Sequence, residues 1–156
     1  MVSVGAGLHP PWTRPPAPER RPERYRFSRI SWTLDEAGSR HVPRRRDEVP
    51  RRDDVVYYFG ARLDAAHAPQ VYAGLASSGF PSLYAATSPG DDFAESFASY
   101  VHVVLMRKPW EVRILRGGEL LVRLGSCWHE ARCAAKRRQL ENLLHGPPAG
   151  HRTAPD

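Results

Sequence analysis

A chain of 156 residues is the size of one domain, and 41% hydrophobic with 26% charged residues allows one core if irregular structure is confined to part of it. No run approaches the roughly 18 consecutive apolar residues of a membrane-spanning helix, which excludes a helical transmembrane protein. The net charge of +6 raises the question of an acidic partner.

Residues 1–24 read as an irregular Pro/Arg-rich lead. Pro10, Pro11, Pro15, Pro16, Pro18 and Pro22 remove backbone donors and oppose helix. The opening stretch has no basic run followed by an apolar one, so no secretory signal is expected and the cytoplasm is the default location. Basic clusters at Arg20-Arg21, Arg44-Arg45-Arg46 and Arg51-Arg52 carry the same character to residue 54. Asp47, Glu48, Asp53 and Asp54 interrupt them, which favours a solvated loop over a phosphate-binding arm.

Between Tyr25 and Leu34, aromatic and β-branched residues predict a strand or an extended segment against a core. Residues 55–59 form a short apolar run. In residues 61–76, Leu63, Ala66, Val71 and Leu75 recur at helical spacing, and Pro69 divides the stretch into two short helical pieces. Residues 80–84 read as an extended connection.

The clearest local signal follows. Ser88 suits an N-cap, Pro89 the first helical position, and Asp91 stands three residues after the cap. Asp91 and Asp92 also complement the positive end of the helix dipole. A central helix near residues 89–107 is predicted, with Phe93, Ala94, Phe97, Ala98, Val101, Val104 and Leu105 turned inward, ending before Pro109. Gly117-Gly118 between two alternating runs predicts a β-hairpin near 110–124. An amphipathic helix near 128–145 should bury Ala131, Ala135, Leu140, Leu143 and Leu144, with Lys136, Arg137 and Arg138 outward. Residues 146–156 read as a tail. The expected fold class is mainly α with some β (α+β), in a single domain spanning 25–145.

On the central helix Asp91, Glu95, Ser99 and His102, spaced four, four and three apart, make one polar stripe. The plain reading is a stripe facing solvent, or Glu95 bonded to a neighbouring arginine. The stretch Tyr84-Ala85-Ala86-Thr87-Ser88-Pro89-Gly90-Asp91-Asp92-Phe93-Ala94-Glu95-Ser96-Phe97 also resembles the downstream motif of gluzincin zinc metallopeptidases, in particular the anthrax lethal-factor-like catalytic domains.

In that family a tyrosine and a short turn lead into a helix whose first acid is the third zinc ligand. Its second acid supports the metal site, and the tyrosine stabilises the oxyanion. The resemblance therefore puts Asp91 at the ligand position, Glu95 at the supporting position and Tyr84 at the oxyanion position. Zinc with two histidines, one carboxylate and an open position for water is coherent chemistry for peptide hydrolysis. Two departures stand out. Asp91 replaces the usual glutamate, which makes Glu95 an alternative ligand. The family's His-Glu-x-x-His helix is absent before Tyr84, where the histidines are His9, His41 and His67.

A second cluster, Cys127, His129 and Cys133, contains His-Glu-x-x-Cys and could offer zinc two thiolates and an imidazole, but it stands after the acid helix and is better read as a C-terminal helix with buried cysteines. Two cysteines fit a reducing compartment or one bridge. His102 reads as a helix-face histidine packed against aromatics rather than a ligand; Trp12, Trp32, Trp110 and Trp128 read as core or loop anchors.

The expectation is a partial metallopeptidase-like domain, truncated or degenerate, without peptidase activity as an isolated chain. Zinc and a peptide or protein substrate belong to complete relatives, and a partner chain carrying the missing helix is a further option. The alternative is a small basic binding module contacting an acidic partner or nucleic acid through its Arg-rich arm.

Overall fold

A computed structural model describes residues 26–55 and 63–146. The lead over 1–24, Tyr25, residues 56–62 with most of the apolar run, and the tail from 147 onward lie outside the described residues. What is described is an α+β arrangement of four α-helices and two small antiparallel sheets.

The segment expected to be extended opens instead as a single helical turn, α1 (Ser28–Ser31), and only Trp32–Leu34 forms a strand, β1. Strand β1 pairs antiparallel with β2 (His41–Pro43). Asp35 organises the connecting turn. Its carboxylate accepts the backbone N–H groups of Ser39 and Arg40, and those bonds hold its pKa below the ordinary carboxylate value.

The piece before Pro69 is a 3₁₀ turn, Ala65–His67, capped by the Asp64 side chain; it runs straight into α2 (Ala68–Ser77). Pro69 stands in the first turn of α2, where its missing N–H has no intrahelical acceptor to lose. The expected two helical pieces are therefore present, although they abut. Residues 81–83 are bends and a turn, where the sequence predicts an extended connection over 80–84, and a 3₁₀ turn, Tyr84–Ala86, leads to the central helix.

Helix α3 (Pro89–Tyr100) starts as the sequence indicates, with the Ser88 hydroxyl accepting from the Asp91 N–H. It continues as a π-helical turn, Val101–Leu105. Strands β3 (Glu111–Arg116) and β4 (Glu119–Gly125) form the expected hairpin. Gly117 and Gly118 both adopt positive φ, the conformation a two-residue turn of this kind requires. After the 3₁₀ turn Ala131–Cys133 comes α4 (Ala134–His145).

Among the described residues two clusters make the interior. The first joins Trp32, Val49, Val71, Leu75, Phe80, Leu83, Ala85, Ala86 and Leu124. The second joins Phe27, Tyr100, Cys127, Trp128, Cys133 and Leu140. Trp32 and Trp128 are core anchors, as the sequence suggests, and Trp110 packs partly buried against the first cluster.

The inward faces of the two long helices depart from the apolar count. On α3 the buried residues are Asp92, Ser96 and Tyr100, while Phe93 and Leu105 are exposed. On α4 they are Lys136 and Leu140; Leu143, Leu144 and Ala131 face out. Lys136, expected outward, is fully buried because Asp92 awaits it. Its Nζ lies 2.5 Å from Asp92 Oδ1, and both side chains have no exposed surface. On both helices the inner face is the one that carries this ion pair, not the one richest in apolar residues.

Candidate functional site

The three residues singled out by the metallopeptidase resemblance sit on one short stretch of backbone, and hydroxyl groups tie them together. Tyr84 begins the 3₁₀ turn and is half-buried. Asp91 stands in the first turn of α3. Its Oδ2 accepts from Ser88 Oγ at 2.6 Å, and Thr87 Oγ1 lies 2.8 Å from the same oxygen. Thr87 Oγ1 is also 2.7 Å from the Tyr84 carbonyl, so its single proton serves one acceptor at a time.

One helical turn on, Glu95 Oε2 accepts from Ser82 Oγ at 2.7 Å, while the Ser82 hydroxyl accepts the Ala85 N–H. The turn carrying Tyr84 is thereby fastened to α3 at both acids. Glu95, for which a neighbouring arginine was a candidate partner, has a serine instead.

The remaining members of the polar stripe do different work. Ser99 Oγ accepts from Trp128 Nε1 at 3.2 Å, which docks the tryptophan on α3. The sequence predicts His102 packed against aromatic side chains; it is instead exposed on the π-helical turn, with Nε2 3.2 Å from the Pro109 carbonyl. His67 Nε2 is 3.0 Å from Arg51 Nη1, and His129 Nδ1 is 3.4 Å from Arg137 Nη1. Among the described residues no three of His, Cys, Asp and Glu gather in a way that would hold a metal ion. His9 lies outside them.

The second sequence cluster is altered by covalent chemistry. Cys127 and Cys133 are joined in a disulfide, buried in the second hydrophobic cluster. A disulfide sulfur has no thiolate to offer a metal, so this cluster is not a ligand set in the oxidised chain. Of the two states open to this cysteine pair, the structure holds the bridge.

What the sequence pattern does not announce is the buried polar centre one position along from the stripe. Asp92 accepts from Trp32 Nε1 at 3.0 Å, from Ser96 Oγ at 3.2 Å and from Lys136 Nζ. Removal from water pushes the Asp92 carboxyl above its ordinary value, with Lys136 pulling the other way. The same desolvation lowers the Lys136 amine, opposed by Asp92. The lysine ammonium also lies 4.5 Å from the centre of the Phe80 ring and 5.7 Å from that of Phe27. The centre is therefore closed to solvent and shielded by aromatic faces. One signal could have found it: Asp92, Ser96 and Tyr100 recur every four residues, and Lys136 stands four before Leu140.

The described part of the Arg-rich arm bonds largely to its own fold. Arg44 Nε donates to the Arg29 carbonyl, Arg46 Nη2 to that of Ile30, and Arg52 Nη1 to those of Ala86 and Thr87. Further along, Arg132 Nη1 donates to the Leu75 and Ser78 carbonyls, and Arg137 Nη1 to that of Trp128. These arginines satisfy backbone acceptors at turns and helix ends that would otherwise depend on water.

Neither a family model, nor a curated protein, nor a solved structure is found to match this chain. Among the described residues no helix is long and apolar enough to cross a membrane.

Proposed function

We propose that this chain carries the acid-helix part of a gluzincin-like metallopeptidase fold in a degenerate form, which does not hydrolyse peptides as an isolated chain. The observation that supports this reading is the pair of hydroxyl links, Thr87 to Asp91 and Ser82 to Glu95. They hold the tyrosine-bearing turn against two acids one helical turn apart, the relation the resemblance requires.

The donor set among the described residues does not fit zinc. Asp91 Oδ2 already faces two hydroxyls, Glu95 Oε2 faces a third, and the histidines placed by hydrogen bonds face a proline carbonyl or arginines. A tetrahedral site needs three protein ligands converging at about 2.0–2.2 Å. No reaction step is therefore assigned to a metal. The two acids serve the fold: Asp91 complements the α3 N-terminus, and Glu95 anchors the turn before it.

Titration of the full chain with zinc at neutral pH, alongside a peptidase assay on a mixed peptide library, tests the reading. The expected results are no stoichiometric binding at submicromolar zinc and no cleavage above background. Stoichiometric binding lost in both Asp91→Ala and Glu95→Ala would overturn it.

A further inference from the structure

The disulfide between Cys127 and Cys133 closes the loop that leads into α4. The middle of this loop, His129, Glu130 and Ala131, faces water, whereas both cysteines and Trp128 are buried. From its closed form the loop grips its neighbours at several points. Trp128 Nε1 donates to Ser99 Oγ on α3, and Arg132 Nη1 donates to the Leu75 and Ser78 carbonyls at the end of α2. The Cys133 sulfur lies 3.6 Å from the Gly79 carbonyl. Helix α4 has a separate hold of its own, Lys136 Nζ on Asp92.

We propose that the disulfide is a redox-operated clamp: a dithiol reductant opens it, the loop over 127–133 releases the end of α2, and α4 stays docked through Lys136 and Asp92. In the opening step a thiolate of the reductant attacks one sulfur of the bridge. The other sulfur leaves as a thiolate and takes up a proton. The reductant's second thiol then displaces the mixed disulfide, so the chain gains two electrons and two protons and the reductant becomes a cyclic disulfide.

Two features make the release local. Both new thiols place a hydrogen inside a closed cluster, at the point where the loop meets Gly79, so the strain falls on that contact. The ion pair that seats α4 shares no atom with the bridge and persists without it. Burial also sets the timing: neither sulfur is open to an attacking thiolate until the exposed middle of the loop lifts. Beyond Gly79 the chain runs to Ser82, whose hydroxyl donates to Glu95, so the redox state of the bridge decides how firmly the turn carrying Tyr84 is held. The clamp rests on these contacts alone and not on the metallopeptidase resemblance.

Residue-by-residue hydrogen exchange of the full chain, after oxidised glutathione and again in dithiothreitol, tests the proposal, with alkylation and mass measurement counting the free thiols. Reduction should quicken exchange about tenfold or more at the Ser78, Gly79, Glu130 and Cys133 amides, and less than about threefold at Leu140 and across the β3–β4 hairpin. Returning the chain to oxidised glutathione should restore the slow rates. The double variant Cys127→Ser with Cys133→Ser should exchange quickly at the same amides and ignore the dithiol. Uniform loss of protection in the reduced parent would overturn the proposal, as would unchanged rates at Ser78 and Gly79. Two alkylatable thiols after oxidised glutathione, or a double variant that still responds to dithiothreitol, would do the same.

Discussion

The first hydrophobic cluster, under α2, brings together nine buried residues, with Trp32 and Phe80 in contact at 5.3 Å between ring centroids. The second, under α4, has six buried residues, and two of these are the halves of a disulfide. Where apolar surface is scarce, a covalent staple substitutes for area, as in small domains generally. Lys136 reaches both clusters, with its ammonium 4.5 Å from the ring centre of Phe80 in the first and 5.7 Å from that of Phe27 in the second. A charge pair thus touches both cores, Lys136 through the two rings and Asp92 through the Trp32 indole.

The largest test of this comparison removes the joint. Lys136→Met leaves a buried carboxylate without its cation, and the expected loss is about 3–5 kcal/mol by denaturant unfolding. Adding Asp92→Leu should restore most of it, because replacing both charges by apolar groups spares the desolvation cost. A loss below about 1 kcal/mol for Lys136→Met, no more than an exposed pair contributes, would show that the joint matters little.

Next in size is the staple. Cys133→Ser, or reduction under native conditions, should destabilise the chain by roughly 2 kcal/mol, the entropy of a short closed loop. Loss of near-ultraviolet dichroism from Trp128 before that from Trp32 would sharpen the contrast, since only the former shares its cluster with the bridge. A single unchanged transition would break it.

The smallest effect belongs to a link that runs outside both cores. Arg132 Nη1 reaches the Leu75 and Ser78 carbonyls at the end of α2 from the turn that precedes α4. Arg132→Met keeps the aliphatic stem and removes both bonds, with an expected cost of about 1–2 kcal/mol in thermal unfolding. Hydrogen exchange should quicken at Ser78 and Gly79 more than elsewhere. Gly79 is held closely there: an added Cβ would stand 3.0 Å from Asp47 Oδ1 and 3.2 Å from the Arg132 carbonyl.

The parts legible in the sequence are those decided locally. Ser88, Pro89 and Asp91 mark the start of α3, and Gly117-Gly118 mark the hairpin turn, because caps and turns depend on a few adjacent residues. The helix faces are not legible, because they depend on a partner 44 residues away. Counting apolar residues places Phe93 and Leu143 inside and Lys136 outside, since a lone lysine in a helix is normally solvated. The candidate site divides the same way. Asp91, Glu95 and Tyr84 do fall on one short stretch, whereas the serine and threonine bonds that occupy the acids follow from the turn geometry before α3. The disulfide is one of two states the sequence allows, because a sequence separation of 6 fixes neither the distance nor the redox state of two cysteines.

The pairing of Asp92 with Lys136 also sets an order of events during synthesis. The ribosome adds the lysine 44 residues after the aspartate, a delay of roughly 2–9 seconds at ordinary elongation rates. Throughout that interval α3 has an acid on its inner face with no cation to meet it, and closing the core would strand a charge. The nascent chain therefore has reason to stay open until α4 has left the exit tunnel. Its interior is completed by the last helix described, in one register, where the amine finds the carboxylate.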